Sequence, residues 1–202
     1  MATSKGRKHV SLVKWLALCG IVAVLLYNLV ILIAGNMSPA HDFVHNSISS
    51  LGANGSPVAW FYNPLGPILY GVLIILFSIG LYIGRAGRIG SFFLAISGIG
   101  EIISGLFPIT FETWQAHIVG LWIAVVGIIV MLFAFADSMR RKDAWKNLWK
   151  YTLVSAIAFT ALSIVIIFQA YSFAAGLGEA ILIWIAWLWV LIIAYRLYRL
   201  HS

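Results

Sequence analysis

Six apolar runs divide this chain, at about residues 12–34, 57–83, 89–109, 114–136, 151–171 and 177–197. A helix needs about 20 apolar residues to cross roughly 30 Å of hydrocarbon, so each run is long enough to span a membrane. The rest of the composition leaves little alternative: 62% of residues are hydrophobic, 9% are charged, and the mean hydropathy is +1.00. A soluble domain of 202 residues has no interior large enough for that much apolar surface. The expected fold class is therefore all-α, a polytopic bundle of six transmembrane helices forming one domain over residues 1–202, with no soluble module attached. Gly35, the stretch 52–57, the stretch 84–87, Pro108 and the stretch 176–178 mark its turns. No internal repeat stands out, although six helices are compatible with an inverted three-plus-three arrangement. The single cysteine, Cys19, lies inside an apolar run and can form no internal disulfide.

The cations orient the bundle. Lys5, Arg7, Lys8 and Lys14 precede or open the first run, and Arg85 and Arg88 join the second to the third. Arg140, Arg141, Lys142, Lys146 and Lys150 join the fourth to the fifth, while Arg196 and Arg199 close the sixth. All thirteen fall on one side, which the positive-inside rule assigns to the cytoplasm, giving an N-in/C-in topology in the cell membrane. Asp42, Glu101, Glu112 and Glu179 fall toward the other side, so the net charge of +7 is polarised across the membrane. Cations flanking helices suit anionic lipid, and no soluble platform exists to contact bases, so a nucleic-acid partner is not expected. The basic start followed by an apolar run has the outline of a signal peptide, but its apolar length exceeds a cleaved h-region and a retained helix is expected. Asn36-Met37-Ser38 and Asn54-Gly55-Ser56 match the glycosylation sequon in the outer loop.

Polar residues gather at the outer end. Glu101 lies within an apolar helix, where an ionisable group costs roughly 2.5–3.5 kcal/mol, so a partner, a proton or a function is expected of it. His41 and His45 are four residues apart, the spacing at which two imidazoles on one helix face reach a common metal. Pro39 after Ser38 favours a short surface helix that would carry them. His117 opens the fourth run, where it reads either as a ligand or base or as a capping partner. Glu179 opens the sixth run, where a helix dipole stabilises a carboxylate without any function. Two candidate sets result: Glu101, His117 and His45 as catalytic groups, and His41, His45, His117 and Glu179 as ligands of a metal such as zinc. The plain reading of the histidine pair is two interfacial side chains. Gln169 joins this end from the fifth run. Ser97, Gly100 and Ser104 lie on one face of the third run with Glu101, and Gly98 and Gly105 lie beside them, so a neighbouring helix is expected to approach closely there. The nine tryptophans, Trp60, Trp114 and Trp145 among them, are expected mostly in the interfacial belt.

His45-Asn46-Ser47-Ile48-Ser49-Ser50-Leu51-Gly52, Phe61-Tyr62-Asn63-Pro64-Leu65 and Ser104-Gly105-Leu106-Phe107-Pro108 occur in an order and spacing that resemble the membrane family called domain of unknown function 998. His117 with Gly120, Gly176-Leu177-Gly178-Glu179 and Tyr195-Arg196-Leu197 continue the resemblance over nearly the whole chain. In that family an Arg commonly follows the Glu that opens the last helix, and here Ala180 stands in its place. The acid usual after the Pro108 turn is displaced to Glu112. The resemblance implies a six-helix bundle and no activity.

Several functions fit these residues. One is a non-catalytic membrane component that binds lipid or packs in a larger membrane-protein complex or homo-oligomer. Another is an outer-leaflet hydrolase or lipid-modifying enzyme in which His45, Glu101, His117 and Glu179 activate water. A small proton-coupled transporter using Glu101 and a haem protein ligated by His45 and His117 are further readings. The orientation is open to direct test: a reporter fused after Ser202 should report the cytoplasm, and a thiol introduced by Asn54→Cys should react with an impermeant reagent from outside. Labelling of residue 54 only from within would reverse the topology.

Overall fold

A computed structural model describes residues 4–168 and 174–202. Gln169 and the last residues expected of the fifth run lie outside the described residues. Six helices are long and apolar enough to cross a membrane: α1 (Ser4–Met37), α2 (Ala59–Ile83), α3 (Arg88–Leu106), α4 (Trp114–Arg140), α5 (Trp149–Phe168) and α6 (Ala175–Leu200). Among the described residues there is no strand. The protein is an all-helical, multi-pass integral membrane protein.

The helix ends differ from the apolar limits for physical reasons. Hydropathy marks where lipid begins, while backbone hydrogen bonds continue into water. Hence α1 starts at Ser4, and its 34 residues span about 51 Å, well beyond the hydrocarbon. In the same way α4 runs on to Arg140, where Arg140 and Arg141 both pair with Asp137 one turn back. α3 stops at Leu106, earlier than its apolar run, because Pro108 cannot continue the ladder. The stretch from Ser38 to Ser47, expected to hold a short helix, is a series of turns instead. Asp42 caps a single turn there, its side chain accepting the backbone N–H groups of Val44 and His45 and its carbonyl accepting that of Asn46, and the chain leaves helical geometry after that one turn.

Each helix packs against its neighbours in the chain, and α6 returns to α1, so the six form a closed ring. The tightest seams flank α3. A Cβ added to Gly98 would lie 2.7 Å from the Gly71 carbonyl oxygen of α2, and one added to Gly100 would lie 2.6 Å from the Gly120 oxygen and 2.5 Å from the Ala124 nitrogen of α4. These helices meet backbone to backbone, as the small residues of α3 lead one to expect. The interior of the ring at the end carrying both termini is filled by Phe77, Leu81, Phe135, Met139, Trp189 and Ile193, all fully buried. Trp189 packs against Phe135 with ring centroids 5.2 Å apart and tilted planes, and donates its indole N–H to Thr152 Oγ1. Trp60 and Trp114 are exposed near helix ends, as in an interfacial belt. Trp145, expected in that belt, is buried instead, in the turn held by the Lys142 carbonyl.

Gly100→Ala should lower stability in detergent by about 1–3 kcal/mol, because backbone atoms cannot yield to the new methyl. Gly178→Ala should be near neutral, since its Cβ would meet only Ile166 at an ordinary 3.6 Å. Equal thermal unfolding midpoints for the two variants would refute this account of the α3–α4 seam.

Candidate functional site

The other half of the ring is hollow. A cavity of about 520 Å³ opens between the helices at the end opposite the termini, and every helix contributes to its wall. α4, α5 and α6 supply an apolar side that includes Leu121, Val125, Ile128, Phe159, Leu162 and Ile183. α1, α2 and α3 supply a polar and aromatic side with Tyr27, Tyr62, Asn63, Tyr70, Glu101 and Ser104. His117, Glu179, Ser47 and Ser49 complete the end nearest the loops.

α2 bends the aromatic side into place. Pro64 and Pro67 fall one turn apart, and the helix responds with a π-helical turn over Pro64–Ile68 before regular helix resumes at Leu69. Tyr62 and Tyr70, on either side of this turn, both reach the cavity. The Tyr27 ring lies 6.1 Å from that of Tyr62, 5.2 Å from Tyr70 and 5.5 Å from Trp187. The hydroxyls of Tyr27 and Tyr62 share a buried hydrogen bond of 3.0 Å, which satisfies polar groups that lipid would leave unpaired.

Glu179 ties the first loop to α6. Its Oε2 accepts the backbone N–H of Ile48 at 2.7 Å, at the start of the 3-10 turn Ile48–Gly52. The seam is reinforced by the Leu177 N–H, which donates to the Val44 carbonyl, and by Gly176, whose missing side chain lets the Asn46 and Phe43 carbonyls approach. Glu179 thus has a structural duty and faces the cavity as well. Glu101 lines the same cavity, one turn further into the bundle than Ser104, and has no hydrogen-bond partner among the described residues. A hydrogen bond from Glu101 to a neighbouring helix, which a structural role would supply, is not present among the described residues.

His117 is buried, and its Nδ1 lies 2.9 Å from the Ser104 carbonyl and 3.1 Å from that of Phe107. Two carbonyl oxygens require a donor, so Nδ1 carries the proton and the ring caps the open C-terminal carbonyls of α3. In the neutral ring Nε2 is then a bare lone pair, and it is buried with no partner among the described residues.

Glu101, His117 and Glu179 therefore meet around one cavity, while His41 and His45 are not among its lining residues. His45 is exposed, with Nδ1 donating to Asp42 Oδ2 at 2.7 Å. That hydrogen bond, joined by the Val44 N–H, holds the Asp42 carboxyl below its ordinary pKa. His41 packs edge-on against Phe43 at 4.9 Å, with Nδ1 3.4 Å from Ser50 Oγ, and burial lowers its pKa. Because this stretch is turned, the four-residue spacing loses its premise and the two imidazoles have different partners. Among the described residues no three His, Cys, Asp or Glu side chains cluster as metal ligands do. The metal set of His41, His45, His117 and Glu179 is thereby divided between loop surface and cavity.

The model of a family described as a protein of unknown function, DUF998, matches residues 21–196, which include every residue named above as lining the cavity. The chain belongs to this family. No curated protein and no solved structure matches it. The aromatic wall was the part of the site that sequence reasoning passed over. Tyr27 and Tyr70 signalled it, since each puts a hydroxyl inside an apolar run where it requires a partner.

The two acids should separate in a stability measurement. Glu179→Ala removes a charge-assisted bond to Ile48 and should cost about 1–3 kcal/mol, whereas Glu101→Gln leaves every described hydrogen bond intact and should cost less than about 1 kcal/mol. Unfolding of purified variants in one detergent checks the order, and a larger loss for Glu101→Gln would make that residue structural.

Proposed function

We propose that this DUF998 protein is a non-catalytic component of the cell membrane that holds an amphiphile in its cavity, with the polar end at the outer leaflet. The observation that carries this reading is the two-sided wall. Along α4 the lining runs from His117 to Ile128, about 16 Å of helix, and only its first residue is polar. An acyl or isoprenoid chain fits beside α4, α5 and α6, with its head against Glu101, Glu179 and His117. A cavity of this size lies within the range that buries a drug-sized ligand, and its few convergent polar groups suit orientation of a head group. The positive-inside rule supports the outer-leaflet assignment, since every Lys and Arg lies at the opposite end.

A second reading has one observation in its favour. The unpartnered Nε2 of His117 is an acceptor beside the cavity that holds Glu101, a pairing suited to removing a proton from water or from a substrate hydroxyl. In that case the occupant is hydrolysed, and Glu101→Gln abolishes turnover without unfolding the protein.

Native mass spectrometry of protein purified in a mild detergent distinguishes occupancy from an empty bundle. The parent should retain a lipid-sized adduct, and Leu121→Trp, which fills the apolar side, should lose it. The same adducts on both proteins would place the bound lipid outside the cavity and overturn the proposal.

A further inference from the structure

The cavity has an unbalanced charge. Glu101 and Glu179 both line it, and no Lys or Arg does. All thirteen of those residues belong to the end with the termini, where the ones with described partners are engaged locally. Arg140 and Arg141 hold Asp137, Lys146 holds Asp143, Lys142 donates to the Arg85 and Ala86 carbonyls, and Arg196 donates to Ala144. The one imidazole in the wall uses its Nδ1 proton on the α3 carbonyls. Glu179 receives backbone N–H groups, but Glu101 has no donor among the described residues and meets the cavity directly. The remaining surface beside these acids is aromatic: Tyr27, Tyr62, Tyr70 and Trp187 line the same space, with the Tyr70 and Trp187 centroids 6.2 Å apart. Ring faces attract organic cations, most strongly away from water, and two carboxylates add a net negative potential. A neutral head group could donate a hydrogen bond to Glu101 but would leave its negative charge uncompensated, and an anionic one would be repelled. A bare metal ion would gain carboxylate and hydroxyl oxygens but would leave the aromatic wall unused.

Building on the amphiphile reading, we propose that the cavity selects a ligand with a positively charged nitrogen, an amine or a quaternary ammonium, seated between the Glu101 and Glu179 carboxylates and the Tyr27, Tyr62, Tyr70 and Trp187 rings. The ammonium belongs either to the head of a long-chain lipid or to a small soluble amine, and both present the same chemistry to this wall.

The test compares two fluorescent probes of equal chain length, a long-chain amine and the corresponding alcohol, titrated against the full chain in an uncharged sugar detergent. The amine should bind at least about tenfold more tightly. Glu101→Gln should collapse that ratio toward unity, as should Glu179→Gln if it folds, and Leu121→Trp should abolish binding of both probes. Choline or tetramethylammonium serves as competitor: displacement at low millimolar concentration supports a soluble amine, and no displacement supports a lipid-borne one. Equal affinity for amine and alcohol would overturn the cation preference while leaving an amphiphile site standing. A preference unchanged in Glu101→Gln would overturn it too, as would displacement of the amine by calcium but not by magnesium or sodium at matched ionic strength. Failure of both probes to bind saturably would overturn the amphiphile reading itself.

Discussion

The arrangement of this membrane protein rests on backbone contact between α3 and its two neighbours. In lipid there is little hydrophobic gain from bringing helices together, so close packing of small residues has to supply the attraction. Gly98 against Gly71, and Gly100 against Gly120, bring α3 nearer to α2 and α4 than any residue with a side chain would permit. The three helices then act as one rigid wall. α5 and α6 close the ring with bulkier side chains, and α6 returns to α1. The terminal half is filled across its centre by Phe77, Phe135 and Trp189, while in the opposite half the buried Tyr27, Tyr62, Tyr70 and Trp187 stand along one side, and beside them the cavity opens.

The two ends use polar groups in opposite ways. At the terminal end, cations are spent on the fold itself: Lys142 ties the α4–α5 connection to the carbonyls before α3, and Arg196 reaches from α6 to the same connection at Ala144. At the other end the acids turn inward. Glu179 and Glu101 both reach the cavity, though only Glu179 is held by described donors. Cations at the terminal end and acids in the cavity at the opposite end polarise the bundle along its length.

The number of helices and their approximate limits were legible because lipid imposes a length and an apolar composition that few other structures need. The centrality of α3 was legible from Ser97, Gly98, Gly100 and Ser104. His45 lies apart from the cavity for a local reason that spacing alone cannot reveal: the chain makes only one turn capped by Asp42, and the His45 ring turns back onto the Asp42 carboxylate. The Pro64 and Pro67 pair announced an irregularity in α2 without saying that it would turn Tyr62 and Tyr70 toward a common space. That outcome depends on where α1 and α6 lie, and thus on the whole ring. Glu101, Glu179 and His117, which line one cavity, stood out in the sequence because ionisable groups in apolar helices require an explanation whatever the tertiary structure.

Glu179 joins two of these themes. It is the residue through which the first loop is fastened to α6, and it is also one of two acids on the cavity wall. A carboxylate has two oxygens and about four acceptor positions, so a bond from Ile48 does not exhaust it. A positive occupant would draw on the same charge that holds the loop, strengthening the ionised state on which the Ile48 bond relies. Glu101 has no such second duty among the described residues. The division of labour is therefore between an acid that anchors the first loop and an acid left open to the cavity.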